Sequence, residues 1–405
     1  MTIMQDYKFL REVCFKNSEI SRTVIDEFLL HYAAGKDGFA REFEKRADKF
    51  WHVHAELKKE NFRMLHAQYI AHRIFRDGGT ITKYLKHAAV KELDSEEQRF
   101  LQRQAAVPWR FVFSTIIDNP ADDFYEMEDV FTGETFLVYS TATTTTLKDR
   151  PVMLWFNLVG FNGFCWQTFG PVMGYRSFNA DDIFYFATEL NDQIQSDEDL
   201  LVELERNPVP FMMLMLKADI PLIESRGFEI LHLSSLEETD KFDMQALKED
   251  FNVEYTENVF RLTHAEWSQP PLNAEVYYDE ANKTLLLTAN TDKAYEETAT
   301  ILKRHGYNLP EDPQVRVHFS MVNAIQHILK KKSELNPFAG LFEITPKPEE
   351  RQMIEGLNRF LSLAMPYINN GTKPDIEDLA RQAGIDPELA ADIYETTADK
   401  RGRKA

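Results

Sequence analysis

Over the first hundred positions, apolar residues recur at helical intervals. In SEISRTVIDEFLLHYAAG (18–35), Ile20, Val24 and Phe28 stand four apart, with Ser18 placed as an N-cap and Gly35 as a stop. Phe39, Phe43, Phe50, Leu57, Phe62, Leu65 and Tyr69 keep near-helical spacing up to Gly78-Gly79. That run predicts one long helix or two broken near Asn61, followed by a third over 80–104. Pro108 ends the pattern. FYEMEDVFTGETFLVYS (124–140) reads as two strands around Thr132-Gly133, and 151–175 as two more around Asn162-Gly163. STATTTTLKDR (140–150), rich in β-favouring Thr, reads as an edge strand or loop.

Helical patterns return in ADDIFYFATELNDQI (180–194) and in the Met-rich 211–227, with a strand in FEILHL. Residues 259–335 read as a small α/β unit. It comprises a hairpin with its tip at Glu280–Lys283 and a helix with Thr291 as N-cap and Gly306 as stop. Three prolines make 336–350 the linker, and two helices follow over 348–369 and 375–400. The expected fold is α+β, with a helical domain (1–107), an antiparallel, barrel-like β-unit (108–178), a mixed α/β region (179–340) and a C-terminal helical region with a basic tail (341–405).

Composition narrows the classes of function. At 405 residues and 43% hydrophobic, with 30 Phe, the chain can bury sizeable cores and is not broadly disordered. No apolar stretch reaches membrane-spanning length, and the first residues lack the apolar core of a signal peptide. Only two Cys, Cys14 and Cys165, rule out a disulfide scaffold and fit a reducing compartment; a cytoplasmic location and no membrane contact are expected. Cys165, between Phe164 and Trp166, reads as a buried thiol of raised pKa. The net charge of −20 is uneven: residues 1–104 hold 19 Lys and Arg against 16 Asp and Glu, and the remainder carries −23. Such a body repels phosphate backbones, so any nucleic-acid contact belongs to the N-terminal quarter or the tail.

DIEDLARQAGIDPELAADIYETT (375–397) has helix-turn-helix spacing, with Ala380 at the crossing, Gly384 in the turn, and Leu379, Ala383, Ile385, Ala390 and Ile393 facing inward. The positions that would face DNA are Asp386, Glu388, Ala391, Asp392 and Glu395. Base and phosphate contacts need Arg, Lys, Asn or Gln, so sequence-specific DNA binding is not expected. Glu388, Asp392 and Glu395 are instead candidates for docking on a basic surface.

Two i, i+4 pairs, Glu27 with His31 and His52 with Glu56, have the spacing of a carboxylate/His metal site between facing helices, against the plainer reading of helix-surface pairs. No zincin, Walker, dinucleotide or nucleophile-elbow motif occurs, and no cofactor is expected. The aromatic stretch Trp155, Phe161, Trp166, Phe169 is either the core of the β-unit or a surface that grips a partner.

Within 109–165, the residues Asp129 to Val138 follow the pattern D-x-F-T-G-E-x-x-x-V. This segment resembles the β-module of bacterial proteins that carry the SEC-C zinc motif, in which a helical part precedes the strands. The resemblance covers about 60 residues and implies a bacterial cytoplasmic protein without an assigned activity. The Cys-rich zinc motif itself is absent, so no metal function carries over.

Together these features point to a non-enzymatic protein-binding or scaffolding protein with a protein partner. One alternative is an enzyme whose site assembles from distant residues, which requires a deep pocket where His and acidic residues converge. The other is a nucleic-acid accessory protein, which requires a contiguous Lys/Arg face in 1–104.

Overall fold

The computed structural model describes residues 6–342 except 270, 271 and 334, and residues 356–394 in part. The chain is an α+β protein and falls into two units, Met1–Pro337 and Phe338–Ala405. Among the described residues no helix is long and apolar enough to cross a membrane.

The first helical run starts earlier than Ser18. Asp6 caps it by accepting from the amides of Lys8 and Phe9, and it continues from Tyr7 to Lys36. Ser18 lies inside the helix, where its hydroxyl donates back to the Cys14 carbonyl. Arg22–Leu29 is wound as a π-helix, with the Leu30 amide reaching the Ile25 carbonyl five residues back. The aromatic run after Phe39 is broken, at 55–58, so that Phe39–Ala47 and Lys59–Phe75 are separate helices. In place of one helix over 80–104 stand two single turns and Ser95–Ala106. The last of these starts in a capping box between Asp94 and Glu97.

Five strands close into a barrel in the order β1 (Arg110–Ala121), β2 (Phe124–Asp129), β3 (Thr135–Tyr139), β5 (Trp166–Tyr175), β4 (Leu154–Phe161). All neighbours are antiparallel except β3 and β5, which run parallel. Along β4, Leu154, Phe156 and Leu158 face the helices, while Val159 turns into the barrel with Val112, Tyr125, Met127, Phe136 and Val138. Both faces are therefore covered, which explains why β4 reads as a continuous apolar run.

STATTTTLKDR is a helix, Thr141–Asp149, and not a strand. Ser140 caps it by accepting from the Thr143 amide, and Thr145 and Thr146 donate to carbonyls one turn back. Local hydroxyl bonding outweighs the β-preference of Thr at this position.

The third layer is a six-stranded antiparallel sheet in the order 315–318, 231–238, 284–289, 274–279, 259–264, 251–256. Helix Asp292–Arg304, capped by Thr291 and ended at Gly306 (φ +88°), covers one face through Ala294, Tyr295, Ile301 and Leu302. The expected boundaries at 107/108 and 178/179 coincide with changes of element, yet one core spans them. Phe75 and Leu101 from the helices, Phe111 and Phe156 from the barrel, and Phe186 and Met212 from the following helices share it. The outer face of the barrel is apolar and the helices are its cover, so residues 1–337 form one unit.

In the second unit, Ile376–Ala383 is a helix ended by Gly384 at φ +75°, and 387–391 begins the other arm of the helical hairpin. Ala380 and Ala390 are fully buried against Phe360, Ala364 and Leu379. Glu388 is exposed. Asp392 and Glu395 lie outside the described residues.

A candidate small-molecule cleft between the first helices and the barrel

The helical run Tyr7–Lys36, the helices Lys59–Phe75 and Ser95–Ala106, and strands β4 and β5 enclose a cleft of about 540 Å³. That volume suits a small organic ligand. Leu30, Ile70, Phe100, Trp109 and Phe169 supply apolar walls, and Asn17, Ser21, Gln167 and Thr168 supply neutral polar groups.

Its aromatic wall is held rigidly. Trp109 stacks on Phe75 (ring centroids 4.4 Å apart, 18° between planes) and meets Phe169 at 5.2 Å. The indole N–H donates to Gln104 Oε1 at 2.7 Å, while the Gln104 amide donates to the Phe161 carbonyl. Gly160 lies under the indole: a Cβ there would come within 2.5 Å of the ring. Strand β5 bends at Gly170 (φ +76°), and the wholly buried Gln68 donates to the carbonyls on either side of the bend, those of Phe169 and Pro171. The bend sets Phe169 over the cleft.

Two polar atoms in the lining are buried without a partner among the described residues, Asn17 Nδ2 and His66 Nε2. Each sits on a side chain fixed from another direction. Asn17 Oδ1 lies 3.5 Å from the Arg103 guanidinium, and the His66 ring packs on Phe43 at 5.2 Å. Burial lowers the His66 pKa against the opposing pull of Glu44, so the imidazole is neutral at pH 7. On the π-helical segment, burial and the neighbouring Glu27 raise the Asp26 carboxyl above its ordinary value, although its side chain stays exposed at the rim. His31 stands at the same rim. Among the described residues no Lys or Arg lines the cleft.

The residues singled out from the sequence are distributed differently. His31 lines the cleft and Glu27 points to solvent. His52 and Glu56 both turn to His327: the His52 ring bonds its carbonyl at 2.9 Å, and Glu56 meets its imidazole at 2.8 Å. The four do not assemble: the second pair meets His327 of the helix Phe319–Leu329, while His31 stands at the cleft and Glu27 is exposed. Among the described residues no three His, Cys, Asp or Glu side chains are grouped to hold a metal. Of the aromatic stretch, Trp155 is fully buried, and Phe161 packs on Trp166 at 5.5 Å. Trp166 also carries the Arg110 guanidinium over its face at 5.1 Å, and Phe169 belongs to the cleft. Phe161, Trp166 and Phe169 are half-buried, and the neighbouring Phe164 is exposed, in edge contact with Phe9 of the first helix. Cys165 is buried as expected, but its pKa is lowered; the raised thiol is Cys14.

Asn17, His66, Gln68, Gln104 and Trp109 carry no motif. The signal for them was Gly160 and Gly170 inside strands, where a missing side chain marks a close approach or a bend. Comparison with protein-family models, with curated proteins and with solved structures finds no match to this chain.

Proposed function

We propose that the protein binds a small, flat, uncharged molecule in this cleft, without a cofactor. The single observation that supports the reading most is the pairing of a locked aromatic wall, Trp109 and Phe169, with the unpartnered buried donor Asn17 Nδ2. A π-face ligand with a carbonyl-type acceptor on its edge satisfies both. Among the described residues the lining holds a carboxylate and no Lys or Arg, which disfavours phosphates and other anions. The ligand this reading names is a small heteroaromatic compound, a different class from the protein partner expected on sequence grounds.

An enzymatic reading also has an observation behind it. His31, His66 and Asp26, from separate turns, reach one cleft, and burial moves the His66 and Asp26 pKa values toward each other. The nucleic-acid reading has less support: five of the N-terminal cations are engaged by acids, Lys16 with Glu96, Arg46 and Arg73 with Glu42, Arg76 with Glu205, and Lys83 with Asp37.

Saturation-transfer NMR with nicotinamide, hypoxanthine, indole and inorganic phosphate as probes tests the proposal. At least one neutral ring is expected to bind and phosphate is not. Asn17→Leu is expected to weaken the ring about tenfold, the equivalent of one lost hydrogen bond. Absence of binding by every neutral ring, or binding unaffected by Asn17→Leu in a folded protein, overturns the reading. Consumption of a bound ring under the same conditions selects the enzymatic one.

A further inference from the structure

The two cysteines of the chain, 151 residues apart, meet in the fold. Cys14 lies in the helix Tyr7–Ser21 and Cys165 in the turn between β4 and β5, with their sulfurs 3.4 Å apart and both side chains buried. The alignment is built. Asn162 Nδ2 donates to Cys14 Sγ at 3.3 Å and to Cys165 Sγ at 3.4 Å, while its Oδ1 accepts from the amides of Phe164 and Cys165. Gln167 accepts from the same Asn162 amide and donates to the Cys14 carbonyl, which ties the helix backbone to the strand. A disulfide has its sulfurs about 2.0 Å apart, so closure asks for an approach of about 1.4 Å, within reach of side-chain torsions.

We propose that Cys14 and Cys165 form a reversible oxidation site that a peroxide converts to an intramolecular disulfide. The Cys165 thiolate attacks one oxygen of hydrogen peroxide; the O–O bond breaks, and the departing hydroxide takes up the proton released by the Cys165 thiol and leaves as water, giving a sulfenic acid. Cys14 sulfur then attacks the Cys165 sulfur; the S–O bond breaks, and the hydroxide leaves with the Cys14 proton as a second water. Two thiols and one peroxide thus become one disulfide and two waters, and a dithiol reductant reverses the change by exchange. Cys165 is the residue oxidised first, since the hydrogen bonds from Cys14 and Asn162 stabilise its thiolate and hold its pKa down against burial. Cys14, raised by its hydrogen bond to Cys165 and by burial, resolves the sulfenic acid. The bond fastens the first helix to the barrel. Asn17 and Ser21 follow Cys14 along that helix and Gln167 follows Cys165, so a consequence for the cleft rests on the function proposed above, whereas the oxidation does not.

The test uses the full chain, reduced, desalted and treated with hydrogen peroxide. The expected result is a mass lower by two hydrogens, loss of both maleimide-reactive thiols after unfolding, and full recovery with dithiothreitol. In Cys14→Ser a dimedone adduct is expected on Cys165; in Cys165→Ser none is expected on Cys14. Hydrogen exchange of residues 7–21 is expected to slow in the oxidised protein. Two thiols surviving peroxide, sulfinic acid in place of the disulfide, or a disulfide between chains each overturns the proposal. Unchanged exchange in fully oxidised protein overturns the fastening. None of these readouts involves a ligand, so they fail or succeed independently of the cleft.

Discussion

Gln68 donates to the carbonyls of Phe169 and Pro171, at 2.9 and 3.1 Å, from a helix a hundred residues away in sequence. The backbone between those carbonyls bends at Gly170, where a Cβ would come within 3.0 Å of the Gln68 side chain. Gln68 thus holds the bend that presents Phe169 to the cleft. Gln68→Leu keeps the volume and removes both donors, leaving two carbonyls unpaired in a buried place. A loss of about 2–3 kcal/mol in urea unfolding is expected, together with weaker binding of the neutral ring. Unfolding at the wild-type midpoint would show that the amide holds nothing.

Gly160 offers a sharper test of the wall. A methyl group there meets the Trp109 indole at 2.5 Å, and the ring is already confined by Phe75 and by its hydrogen bond to Gln104. Gly160→Ala is expected to destabilise by about 1–3 kcal/mol, as overpacking does, and to change the near-ultraviolet circular dichroism. An unaltered spectrum with wild-type stability would mean the indole has slack that the packing denies.

How much of this was legible in the sequence depended on how local the cause is. Thr291 and Gly306 bound their helix as read, because a cap and a left-handed stop act within one turn. The hairpin at 384 was legible for the same reason. The segment 140–150 was not, because Thr favours strands on average and the deciding bonds, from Ser140 and within the helix, show no periodicity. The cleft was the least legible. Its lining comes from four stretches, around 17–34, 64–70, 100–109 and 160–170, and only barrel closure and helix packing bring them together. The same closure turns two distant cysteines into a pair.

Asp182 and His318 join the helical layer to the sheet. Asp182, wholly buried, accepts from the His318 amide and from His318 Nδ1, both at 2.7 Å, and from the Asn179 amide at the start of its own helix. Removing the carboxylate strands two buried donors and a part-buried one. Asp182→Ala is expected to cost about 3–5 kcal/mol, the range for breaking a buried ionic or charge-assisted contact. Asp182→Asn, which keeps one acceptor, is expected to lose less. Denaturant titration of both variants checks the order; equal losses would mean that packing and not hydrogen bonding accounts for the effect.

His232 makes stability depend on pH. It is buried on the strand 231–238, and burial lowers its pKa from 6.5 to about 4 against the opposing hydrogen bond to the Leu335 carbonyl. Below pH 6.5 the unfolded chain takes up a proton that the folded imidazole refuses until about pH 4. Protons therefore favour unfolding throughout that window, and stability falls as pH falls. Each pH unit is worth about 1.4 kcal/mol, so the full span removes about 3 kcal/mol. His66 and His72, also lowered by burial, add slopes of the same sign. The separable prediction is therefore a difference: between pH 6.5 and 4.5, His232→Leu is expected to lose less stability than the wild type, with the two curves parallel above pH 7. Urea midpoints across that range measure it. Curves parallel at every pH would mean that His232 carries its proton in the folded protein and has a partner that burial alone does not provide.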